Sequence, residues 1–265
     1  MFMALALLLT WFIAGSVLAA AEPADSRLSA HELFRFLHLL LFVFWIGPDV
    51  AVYIVSRTTI NPAMNDTQRL AAARMMPVIG LLPRVCTSLM LTVAGVLSEY
   101  VGIEHPPWQM AGIILLGPVW LALTLVATLR PNSPPGRQAA TLEQWLRWAL
   151  VVGVVVSVIY SVATGRLAEA PYVGGKLLLF ATIVLLSLML RNRMRPFEEG
   201  LARLAAVGRT PDLDLQMQTS LNRARPFVHG IWGALLLAAL IGVIKPGVPE
   251  TAPSAVSDPP AETTL

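Results

Sequence analysis

Apolar stretches, each long enough to cross a bilayer, punctuate the chain and leave few architectures open to it. Residues 2–21, 34–55, 78–97, 110–129, 146–163, 174–190 and 227–243 are predominantly apolar, each close to the roughly 20 residues that a helix needs to span hydrocarbon. Inside lipid every backbone N–H and C=O must be paired within its own segment, so such stretches fold as helices. The expectation is an all-α polytopic transmembrane bundle occupying residues 26–245, with six spans from residue 34 onward. Residues 1–25 read in two ways. VLAAAEPADS places small residues before a polar stretch, as at a signal-peptide cleavage site, yet a basic leader is missing and the stretch is almost long enough to be a seventh span. Residues 246–265, rich in Pro, Ala, Ser, Glu and Thr, read as a disordered extracytoplasmic tail.

Composition agrees with a membrane class: 56% of residues are hydrophobic, 13% are charged, and the mean hydropathy is +0.68. The single cysteine, Cys86, excludes an internal disulfide framework, and no zinc-ligand spacing occurs. Walker loops, dinucleotide fingerprints, serine elbows, zincin pairs and nucleic-acid motifs are all missing from the sequence, so the partner that composition implies is the lipid bilayer. Lys176 and Lys245 are the only lysines. Arginines such as Arg57, Arg74, Arg130, Arg137, Arg193 and Arg225 fall in alternate loops, which the positive-inside rule makes cytoplasmic. The C-terminus then lies on the opposite side. Residues 191–227 read as two short amphipathic helices divided near Gly208 to Pro211, with arginines directed at anionic headgroups or at a docking partner.

Ionisable residues inside these spans are the candidate functional groups, because hydrocarbon penalises them unless they face protein, a ligand or an ion path. His38 and Asp49 are eleven residues apart, so they share one helix face about 16 Å apart along the axis. Trp45 and His31 lie near that stripe. In the next span Arg84, Ser88, Thr92, Gly95 and Glu99 recur at near-helical period. Arg84 and Asp49 come at similar depth, which suggests an intramembrane ion pair, either as a functional element or to fix helix register. With His229, they form a candidate polar cluster. Cys86 and Met90 are one turn apart, a pair that fits copper or ordinary packing. Gly153, Ser157, Tyr160 and Thr164 read as a packing seam. Lys176 opens a span, where it either snorkels to the interface or serves as ligand, proton donor or anion anchor. His105, near Glu99 and Glu104, is either a plain loop residue or a metal ligand.

The order of these features resembles a known membrane family. His38 followed by Trp45 and Gly47, then the Arg84 helix, then YSVATG and VGGKLLLFATIVLLSLMLR, is similar to the haem-associated protoporphyrinogen oxidase of many bacteria and its relatives in the copper-resistance D superfamily. The likeness covers roughly residues 32–190. It implies a bacterial inner-membrane protein in which His38 and Lys176 are the functional pair. It also implies haem b, with copper as the alternative. A haem site needs an inward axial ligand, an apolar slot and cations for the propionates. His38, Phe42, Trp45, Arg35, Arg166 and Lys176 are the residues that would supply them. The chain departs from the oxidase after the tryptophan, reading WIGPDVAVYIVSR, and it adds residues 191–225 and a last helix. The resemblance is therefore to the wider superfamily, and no substrate carries over.

Three functions follow as expectations. The first is a haem-binding redox protein, oxidase-like or electron-transferring, with a quinone, a porphyrin or a redox protein as partner. The second is a permease for copper or another solute. The third is a membrane scaffold whose ionisable residues only fix helix packing.

Overall fold

A computed structural model describes residues 29–248, which are helical apart from short connections, with no strand among them. The helices are α1 (Ala30–Thr58), α2 (Asp66–Ile79), α3 (Leu81–Glu99), α4 (Pro107–Leu129), α5 (Pro134–Ala163), α6 (Pro171–Val207) and α7 (Pro211–Ile244). α2 and α3 are separated only by Gly80 and together make one rod, giving six units long and apolar enough to cross a membrane. The protein is a multi-pass membrane helix bundle. Residues 2–21 and the tail beyond residue 248 lie outside the described residues.

Helix starts follow from local chemistry. Ser29 and Glu32 bond reciprocally across the first turn of α1, and Asn65 and Gln68 do the same for α2. Ser133 and Thr210 cap α5 and α7 through their hydroxyls. α4, α5, α6 and α7 each begin with proline, whose fixed φ suits the first helical position and whose missing N–H is no loss there. α6 stops at Gly208, which adopts φ +79°, a left-handed conformation that a Cβ would oppose.

Consecutive spans pack side by side: α1 on the α2–α3 rod, α3 on α4, α4 on α5, α5 on α6 and α6 on α7. α1 and α7 meet only sparingly. One end of the bundle carries the α1–α2 loop, the α4–α5 loop and the α6–α7 turn, and is rich in arginine; it is called the basic end below. Near the middle, Phe180 of α6 receives Trp45 of α1 and Trp120 of α4 edge-on, with ring centroids 6.2 and 6.4 Å away. Phe36, Leu39 and Val43 of α1 and Val152, Val156 and Ile159 of α5 point outward, as suits a lipid-facing surface.

Lipid tails are as apolar as leucine, so close packing and interhelical hydrogen bonds must hold such helices together. Thr92 provides one. Its hydroxyl donates to the Ile113 carbonyl (2.7 Å) and accepts from the Gly117 N–H (2.9 Å), inserting into the α4 ladder one residue before Pro118. Only glycine leaves room, since a Cβ at position 117 would lie 2.7 Å from that oxygen.

Residues 191–225 differ from the expectation. The division near Gly208 is present, but the flanking helices are not separate short elements: α6 and α7 run without a break from their apolar spans into a long antiparallel hairpin. Phe197, Leu204, Leu213, Met217 and Leu221 form a buried apolar core between the two arms, and Gly200 lets Met217 approach. That burial keeps both chains helical past the point where hydropathy falls. The α5 seam is likewise corrected. Val154, Val158 and Ser161 face inward, whereas Gly153 is open, Tyr160 is 59% exposed and Thr164 is exposed.

Candidate functional site

Phe34, Leu37, Leu41 and Trp45 define the buried stripe of α1, and His38 and Asp49 sit half-buried at its margin. His38 lies toward the end opposite the basic one, two turns from Trp45. Its Nδ1 is buried and has no hydrogen-bond partner among the described residues. The Lys176 amine lies over α7 at Gly242, where an added Cβ would be 2.9 Å from Nζ, so the missing side chain at 242 makes its seat. It forms no ion pair among the described residues.

The other residues expected around His38 are distributed differently. Phe42 is half-buried, and Trp45 is in the core against Phe180. Arg35 is exposed. Arg166 donates to the Glu104 carbonyl, which engages its guanidinium in the loop region. The His38 imidazole thus keeps an orphaned nitrogen, and the Lys176 amine is seated against α7. Arg35 and Arg166 are not drawn into the same constellation by any contact.

His31 stacks on Tyr100 at 5.1 Å, bracing the start of α1 against the end of α3. Glu99 accepts from both the backbone N–H (2.8 Å) and Nδ1 (2.7 Å) of His105, closing the loop after α3. Cys86 and Met90 are buried in the central core. Among the described residues no three His, Cys, Asp or Glu side chains converge as a metal site.

The intramembrane polar cluster is divided. Asp49 accepts a 2.8 Å hydrogen bond from the Trp232 indole of α7. Tyr53 and His229 complete an aromatic group around Trp232, at 5.4 and 5.5 Å from its ring. Arg84 lies elsewhere: it is exposed, it donates to Thr128, and no ion pair joins it to Asp49 among the described residues. Similar depth did not bring them together, because they occupy different faces of adjacent helices.

Two features were not singled out from sequence. Glu143 is 6% exposed, accepts from the Thr124 hydroxyl (2.8 Å) and pairs with Arg147 one turn on, which in turn lies 5.9 Å over the Trp120 ring. The i,i+4 spacing within TLEQWLRWAL carried this signal. Trp232 as the partner of Asp49 left no local signal, since 183 residues separate them.

The fold defines a polytopic membrane protein whose spans carry ionisable side chains, His38 and Lys176 among them. No protein-family model matches this chain, and neither a curated protein nor a solved structure does so.

Proposed function

We propose that the protein is an inner-membrane haem-binding redox protein, oxidase-like or electron-transferring, with His38 as axial ligand to haem b and Lys176 beside it. The observation that carries this reading is the buried, unpartnered Nδ1 of His38 within an apolar span. An unsatisfied imidazole nitrogen is costly in an apolar interior, so a bound group that engages the ring, through Nε2 to iron and an acceptor for Nδ1–H, would relieve it. Haem bound there supplies reversible one-electron chemistry at iron. The chain's own contribution is to orient the imidazole from α1 and to hold a cation for a propionate or an anionic substrate. The positive-inside rule favours a cytoplasmic basic end, with His38 and the end of α7 on the periplasmic side.

Absorption spectra of detergent-purified protein, oxidised and reduced, test the proposal. The wild type is expected to carry a Soret band that shifts on reduction, and His38→Ala to lose it while eluting and melting like wild type. A colourless wild-type protein reconstituted with haem to no effect overturns it. Metal uptake by such colourless protein would favour a permease, and stability changes alone in His38 and Lys176 variants would favour a scaffold.

A further inference from the structure

The sparse contact between α1 and α7 leaves a seam bridged by the Asp49–Trp232 hydrogen bond and, nearer the basic end, by Arg57 donating to Asn222 at 3.3 Å. Between them Tyr53 and His229 face each other, with ring centroids 5.8 Å apart. The Tyr53 hydroxyl, the His229 nitrogens and the second Asp49 oxygen have no hydrogen-bond partner among the described residues, and none is sealed within the protein. The seam opens sideways: Ile54 is 60% exposed and His229 is exposed. In a bilayer that outward side is the lipid, where unpaired polar groups are disfavoured. Past Tyr53 the seam meets an open surface hollow bordered by Ile54, Arg57, Asn61 and Gln218.

We propose that this seam binds the head of a lipid-soluble quinone or quinol. Three aromatic side chains offer stacking faces for a flat ring. The Tyr53 hydroxyl donates to a quinone carbonyl, and Asp49 or a neutral His229 accepts from a quinol hydroxyl. Arg57 at the mouth disfavours an organic cation, and the aromatic side chains suit a flat neutral ring. Access from the membrane suits a ligand with a long apolar tail. The proposal concerns binding alone and does not require haem at His38.

The test is equilibrium binding of a radiolabelled short-chain benzoquinone to the full chain in phosphatidylcholine nanodiscs. Saturable binding is expected at one molecule per chain. Tyr53→Phe combined with His229→Ala should weaken it at least tenfold. Ile54→Trp, a substitution on an exposed side chain that leaves every polar group in place, should do the same by filling the hollow. His38→Ala should leave it unchanged. Wild-type protein without saturable binding, Ile54→Trp protein binding like wild type, or displacement of the label by phosphatidylglycerol as readily as by unlabelled quinone would each overturn the proposal. Haem-loaded protein that ignores quinone defeats only this inference, and haem-free protein that binds quinone defeats only the reading at His38.

Discussion

The guanidinium of Arg69 and the carboxylate of Asp214 lie 2.7 Å apart across 145 residues of sequence, with Arg69 wholly buried. Arg69 also donates to the Thr59 carbonyl, and Arg209 grips the other Asp214 oxygen at 2.6 Å while donating to the Pro62 carbonyl. One carboxylate thus ties the α1–α2 loop and the start of α2 to the turn between α6 and α7. This clasp stands outside the apolar spans, with Arg69 buried and Asp214 and Arg209 partly exposed.

Removing one partner strands a buried charge, so Asp214→Asn should destabilise the protein by about 3 kcal/mol. Burial by itself would raise the Asp214 pKa, but the hydrogen bonds and charges of Arg69 and Arg209 prevail and hold it below the ordinary aspartate range. A depressed folded-state pKa contributes stability that is fully present above the unfolded value, about 4, and is lost as pH falls through the folded value. Melting temperatures in detergent should therefore drop below pH 4 in wild type, and Asp214→Asn should flatten that part of the profile. An Asp214→Asn curve parallel to wild type would refute the linkage.

Thr92 provides a second stability test. Thr92→Val keeps the shape but removes the hydroxyl that joins α3 to the Gly117 N–H and the Ile113 carbonyl of α4, costing about 1 kcal/mol. Thr92→Ser retains the hydroxyl and should lose less. Gly117→Ala should destabilise as well, because its methyl would displace the Thr92 oxygen. Denaturant unfolding in mixed micelles compares the three, and equal stabilities for valine and serine would remove the hydroxyl from the account.

The buried pair Glu143–Arg147 should show strong coupling. Glu143→Ala leaves the Arg147 cation facing the Trp120 ring with the Thr124 hydroxyl unanswered. Arg147→Met removes that stranded charge, so the double variant should recover much of the loss. A thermodynamic cycle on melting data measures the coupling, and simple additivity of the two single variants would contradict it.

The spans were legible in the sequence because apolar length is local. Helix starts were less so: α5 begins at Pro134 rather than 146 and α7 at Pro211 rather than 227, where a proline and the Ser133 and Thr210 caps set the first turn ahead of the apolar run. Facing was less legible. The α5 ridge of Gly153, Ser157, Tyr160 and Thr164 reads as a seam by residue type, yet packing on α4 and α6 turns Val154 and Val158 inward instead. Glu143 and Arg147 fall at the edge of a hydropathy window that starts at residue 146, which hides a buried ion pair as loop charge. The partner of Asp49 depends on how α7 returns beside α1, and no local pattern carries that. His38 and Lys176 stood out because ionisable groups within apolar runs are visible in sequence alone, whereas their surroundings are tertiary.

Gly242 gives a last handle on the polar pair. A side chain there would occupy the space of the Lys176 amine, 2.9 Å from Nζ, whereas Gly233 on the same helix has nothing within 4 Å of the corresponding position. Gly242→Val should push the amine away from its seat without touching His38 directly, and Gly233→Val should leave it in place. If Lys176 shares a site with the ligand of His38, Gly242→Val lowers haem retention or shifts the Soret maximum, and Gly233→Val does neither. Both substitutions add the same side chain to α7, so general destabilisation of that helix is controlled by comparing their melting temperatures. Identical spectra for the two variants at equal stability would separate Lys176 from the site and leave His38 to act without it.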